Sequence, residues 1–370
     1  MNIPLNDLSR SVSLNRDLYD SMTELLESGH YIFGPHTKNL ETLLSRYLGV
    51  PFVRMVSSGT SALTIALKSL NLPIGSEIIT SANSGSYARI AAEQANLVTR
   101  YVDVNLSGGI DINQLPDKTN AKTKALIVTH LYGQIVNLPQ IKEYCENHQL
   151  ILIEDCAQSF GAVYEGKKAG SWGHISTFSF YPTKNLAAMG DAGAIATHSQ
   201  ELHSRIKALS QYGWGDKYSV ETLGGDNSRI DEIQALILCI RLKAIDDLNV
   251  RRREIWRSYL HALRDSRFRL IGSDNESFVA HLAVIDAGSQ REDFREFLRL
   301  KGIQTAVHYP IPDYKQKAFL DTTLSLANTE YLTESIFSIP IFPELSEIEI
   351  KFICDALEEF SALDLDLGSR

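Results

Sequence analysis

The chain has 370 residues, of which 44% are hydrophobic and 22% are charged, and its formal net charge is −9. This length supports two or three domains, and the acidic balance without a basic run argues against a nucleic-acid partner. No stretch approaches the ~18 consecutive apolar residues of a membrane span, and the first ten residues lack the apolar core of a signal peptide. The composition therefore predicts a globular protein with no membrane partner.

The four cysteines are widely spaced and form no CxxC pair; they are Cys145, Cys156, Cys239 and Cys354. Neither a disulfide framework nor a metal site is indicated by this spacing. A reducing cytoplasm is the expected location. Cys156 directly follows Asp155, but a small buried residue at a strand end accounts for it better than a reactive nucleophile does.

The first two thirds of the chain alternate between helical and β patterns. Apolar residues recur at helical spacing from Leu18 to Leu26 and from Leu40 to Leu48, and short β-like runs follow. This alternation predicts an α/β fold, with a mostly parallel mixed sheet between two layers of helices. The predicted strands are 51–56, 77–81, Val98 to Val104, Lys124 to Thr129, Leu150 to Glu154, Ser176 to Phe180 and 190–197.

The composition shifts at about Asp246, where a charged helix begins and a smaller α/β unit follows. Its predicted strands are 279–285, 304–308 and 338–341, its predicted helices are 292–301 and 346–360, and 361–370 is expected to be a frayed tail. The pattern divides the chain into a large cofactor-binding domain, 1–245, and a small C-terminal domain, 246–370. The N-terminal helices are free to pack on the small domain. The segment from Tyr212 to Ser228 has no period and is expected to form a long functional loop.

Two reactive side chains stand at the ends of predicted strands. Asp155 ends the apolar run from Leu150, and Lys184 lies in a Pro/Asn turn just after the run to Phe180. A carboxylate and an amine in these places can face one pocket, as pyridoxal phosphate chemistry requires. There the amine attaches to the cofactor aldehyde, and the carboxylate keeps the pyridine nitrogen protonated. The alternative is that Asp155 is a cap and Lys184 a solvated surface charge.

The segment Ser57-Ser58-Gly59-Thr60 joins a predicted strand to a predicted helix. The free N–H groups of a helix's first turn bind anions, so this turn is a candidate site for the cofactor phosphate. A plain Ser/Thr helix cap is the alternative interpretation.

The sequence motif EDCAQSFGA, followed by FSFYPTKNLAAMGDAGAI, resembles the DegT/DnrJ family of nucleotide-sugar aminotransferases, which share the aspartate aminotransferase fold. The resemblance runs from the IPL start to PELSEIEI. It implies pyridoxal 5'-phosphate as cofactor, glutamate as amino donor, a nucleotide-linked keto sugar as acceptor, and a homodimer. Some relatives are dehydratases in which another base replaces the lysine, and the presence of Lys184 counts against that activity.

The resemblance also assigns roles around the cofactor. A family Gly-Thr is matched by Gly59 and Thr60, which favours the phosphate site over a plain cap. The family commonly has a stacking aromatic residue where this chain has Gly85, so Tyr87, two residues on, is the candidate replacement. The remaining expected cofactor contacts are Lys184 and Asp155 as catalytic groups, Ser58 and Ser179 at the phosphate, and Gln158 beside the phenolic oxygen.

The segment GDNSRIDEIQALIL resembles the family stretch whose asparagine enters the neighbouring subunit's site, which makes Asn227 a candidate contact to the partner's cofactor phosphate. An equally good interpretation has Asn227 or Ser228 as the N-cap of a helix from Arg229. In GIQTAVHYPIPDY, the resemblance places His308 and Tyr309 against the nucleotide sugar.

The motif HYP followed by a further Pro is more typical of relatives that aminate carbon three of the sugar. The expected function is therefore transfer of an amino group from glutamate to a dTDP-3-keto-6-deoxyhexose in amino-sugar biosynthesis. The alternatives are amination at carbon four of a UDP- or dTDP-4-keto sugar and, from another class, a non-catalytic pyridoxal-phosphate-binding regulator. The glycine at position 85 gives the regulator its support.

Overall fold

The computed structural model describes residues 1–11 and 16–368 of the chain. Its strands are β1 Phe52–Val56, β2 Glu77–Ser81, β3 Val98–Val102, β4 Thr123–Thr129, β5 Ile151–Asp155, β6 Val163–Tyr164, β7 Lys167–Lys168, β8 Ile175–Ser179, β9 Gly193–Thr197, β10 Arg269–Ile271, β11 Ala283–Asp286 and β12 Ile336–Ile339.

Its helices are α1 Leu8–Ser11, α2 Arg16–Ser28, α3 Pro35–Leu48, α4 Gly59–Ser69, α5 Tyr87–Gln94, α6 Leu115–Lys118, α7 Leu138–His148, α8 Gln200–Leu209, α9 Glu232–Arg241, α10 Ile245–Ala262, α11 Arg291–Leu300, α12 Ala327–Ser335 and α13 Glu347–Gly368. Within the described residues, no helix combines the length and the apolar character that crossing a membrane requires.

A seven-stranded sheet is the centre of the larger unit, in the order β1-β9-β8-β5-β4-β2-β3. β9 alone runs in the direction opposite to the other six strands of this sheet. Successive residues of a strand point to opposite faces, and here both faces are buried. Ile78 packs toward α4 and α5, whereas Ile79 packs toward α3 and α7. The prediction of a three-layer α/β fold with a mostly parallel sheet is confirmed.

This topology brings the carboxyl ends of β1, β8, β5 and β4 to one edge of the sheet. β5 pairs in parallel with β8, with Asp155 opposite Thr177. The segments that follow these strands, 57–60, 156–158 and 180–184, therefore meet above the same edge. Open α/β sheets bind their ligands in this place.

The smaller unit has a three-stranded antiparallel sheet, β10-β11-β12. Trp256 and Tyr259 of α10 pack with Phe294 of α11 against this sheet. The amino terminus also contacts this unit, since the Ile3 amide donates to the Gly302 carbonyl at 2.8 Å. We propose that the two domains divide at residues 245 and 246, where α10 begins.

In the smaller unit, one predicted strand is absent, another is shorter than predicted and the predicted tail is largely helical. Residues 304–308 form no strand but a single bridge, from Ala306 to Ser338. The segment then turns toward the cavity that Lys184 and Asp155 line, and does not continue along β12. The strand expected over 279–285 begins only at Ala283, since the Val279 and Leu282 amides donate to the 132–133 loop. Residues 361–368 were expected to form a frayed tail, but they continue α13, which ends at Gly368. Residues 369–370 lie outside the described part of the chain.

The helix expected from Arg229 begins at Glu232, with Asp231 at its N-cap. Asn227 instead pairs with Gln211 in a bridge, and the Ser228 amide donates to the Ser210 carbonyl at 3.1 Å. The interpretation of Asn227 or Ser228 as the helix cap is therefore wrong, because both residues pair with the segment after α8.

Candidate active site

One cavity of about 450 Å³ lies above the carboxyl edge of the large sheet. It contains the side chains of both predicted reactive residues. Ten of the eleven predicted site residues line it, namely Ser58, Gly59, Thr60, Tyr87, Asp155, Gln158, Ser179, Lys184, His308 and Tyr309. Asn227 does not line the cavity. It is exposed on the 212–228 loop, where its backbone N–H donates to the Asp226 carboxylate at 2.7 Å.

The electrostatics of this cavity couple the amine to the acid. Burial lowers the pKa of Lys184 from 10.5 to about 8, and the Asp155 carboxylate opposes that shift. Burial raises the pKa of Asp155, while the Ala157 amide, which donates to its Oδ1 at 3.1 Å, and the Lys184 amine act against the rise. An amine with a pKa near neutrality can both accept and return a proton.

The start of α4 forms one wall of the cavity. Ser58 is the N-cap of this helix, and its hydroxyl accepts from the Ser61 amide at 3.1 Å. The first-turn amides of Gly59 and Thr60 have no intrahelical acceptor, as at every helix start. A Cβ on Gly59 would lie 2.6 Å from the Cβ of Ser179, so only glycine lets the helix start come this close to the end of β8. The capping interpretation and an anion site thus coexist here.

A second glycine, Gly193, lets β9 pack closely against the start of α4. A Cβ on Gly193, the first residue of β9, would lie 2.4 Å from the Ser58 carbonyl oxygen. The Ser228 hydroxyl accepts from the Ser57 amide at 3.2 Å and lies 3.0 Å from the Ser57 hydroxyl. The helix start is therefore fixed both by the sheet beneath it and by the end of the 212–228 loop.

Gln158 connects two sides of the cavity. Its Oε1 accepts from the Tyr132 amide at 2.6 Å, and its Nε2 donates to the Tyr309 hydroxyl at 3.2 Å. The Tyr132 hydroxyl in turn donates to the His308 carbonyl at 3.1 Å. These bonds fix the His308–Tyr309 segment of the small unit to the loops after β4 and β5.

The glycine that departs from the family pattern has a local physical reason. Gly85 has a φ of +80°, and a Cβ there would lie 3.1 Å from the ring of Tyr309. The rings of Tyr87 and Tyr309 meet edge to face, with centroids 6.4 Å apart. Two tyrosine rings thus lie beside position 85, and a side chain there would require both rings to shift.

His308 faces the cavity from the small unit. Its Nδ1 lies 3.0 Å from the Ser338 hydroxyl of β12. Burial lowers the pKa of His308, and the nearby Lys184 amine lowers it further. The lowered pKa favours the neutral ring, which can donate or accept a hydrogen bond.

Sequence reasoning missed the residues that lie behind the lysine. Asn185 donates to the Asn249 side chain at 2.7 Å and to the Val279 carbonyl at 3.0 Å, and its Oδ1 lies 2.9 Å from Nδ1 of His281. Burial holds the pKa of His281 well below its usual range. The position of Asn185 directly after Lys184 was the only signal in the sequence, because its partners lie far along the chain.

A buried acidic residue of β5, Glu154, lies directly before Asp155 and stabilises this end of the strand. Burial opposes ionisation of Glu154, yet the His130 ring and the amides of Gly170 and Gly173 hold its pKa below the usual value. His130, Glu154 and Cys156 are close enough together to ligate a metal, but the Glu154 oxygens already accept from backbone amides at 2.6–2.9 Å. Burial raises the pKa of the Cys156 thiol well above its usual range. These contacts indicate a structural role for the group.

A parallel-sheet fold with a lysine, a buried carboxylate and a helix start around one cavity defines a pyridoxal-phosphate enzyme of the aminotransferase type. Residues 13–358 match the DegT/DnrJ/EryC1/StrS aminotransferase family, and the chain belongs to this family. It is a transaminase, and its cofactor is pyridoxal 5'-phosphate.

One relative is the dTDP-3-amino-3,6-dideoxy-alpha-D-galactopyranose transaminase of Aneurinibacillus thermoaerophilus. It is 37% identical over 363 residues, which cover 97% of this chain and 99% of the relative. Among solved structures, DesV of S. venezuelae in complex with a ketimine intermediate has a TM-score of 0.93 at 31% identity, over 97% of this chain and 98% of that chain. NtdA of Bacillus subtilis with bound cofactor PMP has a TM-score of 0.91 at 29% identity, and the match covers 97% of this chain and 85% of that chain.

Proposed function

We propose that the protein transfers an amino group from glutamate to the keto group at carbon three of a dTDP-linked 6-deoxyhexose, in the biosynthesis of an amino sugar. The relative from A. thermoaerophilus, whose name specifies a 3-amino-3,6-dideoxy sugar on dTDP, supports the acceptor. Glutamate as the donor rests on the family resemblance. The observation that carries the activity is the convergence of Lys184 and Asp155 on one cavity.

The described residues fit pyridoxal phosphate. Lys184 would hold the cofactor covalently, Asp155 would pair with its ring nitrogen, and Gln158 would contact its phenolic oxygen. When bound, the cofactor supplies an electron sink for the negative charge left on carbon when a proton departs. The freed Lys184 amine, with a pKa of about 8, would be suited to hold and return the α-proton of the donor. Asp155 would keep the ring nitrogen protonated.

The helix start of α4 would hold the phosphate. Ser58, Gly59, Thr60 and Ser179 surround it in this proposal, and the close approach of Gly59 to Ser179 leaves backbone amides and hydroxyls as its lining. A helix N-terminus favours a dianion through both its free N–H groups and its positive potential. Tyr87 would contact the cofactor ring from the opposite side of the cavity.

On the acceptor side, His308 and Tyr309 would contact the nucleotide sugar. Both line the cavity and both come from the small unit, which leaves the large unit to hold the cofactor. The Gln158 bond to the Tyr309 hydroxyl aligns the acceptor contacts with the cofactor contacts.

A homodimer completes this proposal, with Asn227 reaching the partner's cofactor phosphate. Large apolar side chains are exposed on α2, in the segment just after it and on the 212–228 loop: Leu26 is 57% exposed, Tyr31 53% and Leu223 92%. The proposed partner subunit would cover these side chains, since large exposed apolar groups are typical of protein interfaces.

The shared site has a direct test. Lys184→Ala and Asn227→Ala proteins should each be impaired alone, and mixing them under subunit exchange should restore activity, because one site of each hybrid then has both native residues. A monomer by light scattering, or a mixture that stays inactive, would contradict the shared site.

We place the enzyme in the cytoplasm. The four cysteines are unpaired, three of them buried, as is usual for proteins of a reducing compartment. Thiol titration of the unfolded protein should find four free thiols.

The activity itself is tested by spectroscopy and a substrate panel. Purified protein should be yellow, glutamate should bleach the visible band, and a dTDP-3-keto-6-deoxysugar should restore it. Lys184→Ala should lose both the band and turnover, while Asp155→Ala should bind the cofactor partly and not turn over. A panel of 3-keto and 4-keto sugars on dTDP and UDP separates amination at carbon three from amination at carbon four. A band that glutamate leaves unchanged would favour the regulator.

A further inference from the structure

A buried carboxyl group connects the substrate-facing segment of the small unit to the loop before α5. Asp313 is fully buried, and its backbone N–H donates to the Ala82 carbonyl at 2.8 Å. Its Oδ1 accepts from the Ser86 amide at 2.8 Å, although the two residues lie 227 positions apart. The loop from Ala82 to Ser86 is thus held at both ends by one residue, which lies four positions after Tyr309.

One residue of this loop, Ser86, has a backbone conformation that is unfavourable for a residue with a side chain. Gly85 and Ser86 have consecutive left-handed conformations, with φ of +80° and +65°. Ser86 is the N-cap of α5, yet its side chain makes no capping bond. The Asp313 carboxylate instead accepts from the amide of the N-cap residue itself, at a helix N-terminus whose positive potential favours an anion. The resulting turn places Tyr87 against Tyr309 at the cavity.

The surroundings of Asp313 make its charge sensitive to pH. Burial raises its pKa to about 6, and the Ser86 backbone amide and the Arg89 guanidinium oppose the rise. Its Oδ2 has no hydrogen-bond partner among the described residues, nor have the buried hydroxyls of Ser86 and Tyr101. The charged and titratable groups that interact with it are Arg89 from α5, Tyr101 from β3 and Tyr309 on its own segment, while Glu93 acts on Tyr101 and Tyr87 acts on Tyr309.

We propose that the ionised Asp313 carboxylate is a positioning element, which holds the Ala82–Ser86 turn and so places Tyr87 and Tyr309 to receive the nucleotide sugar. The acceptor's identity in this inference rests on the proposed function, whereas the positioning itself does not. When Asp313 is protonated, its bond to Ser86 becomes an ordinary neutral one, which is about half as strong. The turn then loosens and the mouth of the cavity loses its shape.

Hydrogen exchange of the holoenzyme tests the positioning without any sugar. After correction for intrinsic exchange rates, the amides of residues 82–90 should lose about fivefold in protection as the pH falls from 7.5 to 5, the change expected when a charge-assisted bond becomes neutral. The midpoint should lie near 6. Asp313→Asn keeps an acceptor for Ser86 but cannot ionise, so it should show the reduced protection at every pH. The exposed Asp321→Asn is the matched control and should titrate like the wild type.

Kinetics supply the second measurement. Asp313→Asn should raise the KM for the nucleotide sugar about fivefold at pH 7.5, because its bond to Ser86 becomes neutral and Tyr309 is held less firmly, and it should change the rate of the glutamate half-reaction by a smaller factor. Wild-type protection without an inflection between pH 5 and 7.5 would overturn the inference, and this measurement needs no variant to fold. If no keto sugar is aminated at all, the proposed function fails, but the exchange result still decides the role of Asp313.

Discussion

The active-site lysine should destabilise the protein when the cofactor is absent. Burial lowers the pKa of Lys184 from 10.5 to about 8. The difference, 10.5 − 8 = 2.5, corresponds to about 3.4 kcal/mol at 1.36 kcal/mol for each pKa unit. Because the side chain is only partly buried in the open cavity, we expect about 2–3 kcal/mol of this cost at pH 7. Lys184→Met, which keeps a similar volume without the charge, should stabilise the apoprotein by that amount.

The pH dependence gives this prediction its sign. The folded-state pKa lies below the unfolded one, so the cost is complete below pH 8 and disappears as the unfolded chain also loses its proton above 10.5. The free energy of unfolding of the wild type should therefore rise relative to Lys184→Met between pH 8 and 10.5. The gap should shrink to about 1 kcal/mol at pH 9.5.

Urea unfolding of the cofactor-free proteins at pH 7 and pH 9.5 measures both values. Lys317→Met, at an exposed position, is the control and should change stability by less than about 0.5 kcal/mol. A Lys184→Met protein that is less stable than the wild type at pH 7, or a difference that does not vary with pH, would refute the reasoning. Either result would mean that the amine is not desolvated.

Three further substitutions test the frame of the site. Gly59→Ala should weaken cofactor binding at least tenfold in equilibrium dialysis, because its Cβ would lie 2.6 Å from that of Ser179; unchanged affinity would show that the helix start can shift. Glu154→Gln should lower the free energy of unfolding by about 2–4 kcal/mol in urea, since an amide cannot accept from all the buried donors, and an unchanged midpoint would contradict this. Gly85→Ala should cost about 1–2 kcal/mol in the same assay and raise the KM for the nucleotide sugar, because its φ of +80° disfavours a side chain and its Cβ would press on Tyr309.

Local signals carried most of what was predictable. A buried parallel strand has a recognisable apolar run, and a reactive group placed directly after such a run, as Asp155 and Lys184 are, reaches the carboxyl edge by topology alone. The strands of the large sheet and ten of the predicted cavity residues follow from that rule and from the resemblance. The roles assigned to these residues remain predictions until the experiments above are done.

The features that escaped prediction depend on long-range contacts. The bond from Ser86 to Asp313 and the cluster of Asn185 with Asn249 join residues far apart in the chain, and neither has a periodic pattern. Residues 304–308 have a β-like composition, but they pair with β12 through one bridge only, because His308 lines the active-site cavity. In each case tertiary packing outweighed local preference.

The two units supply different halves of the chemistry, and this has an evolutionary consequence. Within one subunit, the groups proposed to hold its own cofactor lie between residues 58 and 184, whereas those proposed to face the sugar, His308 and Tyr309, lie on one short segment more than 120 positions later. Exchanging that segment between relatives, together with the loop that Asp313 holds, would alter acceptor preference while sparing amine transfer. New sugar specificities can therefore arise by small replacements at the rim, without rebuilding the catalytic apparatus.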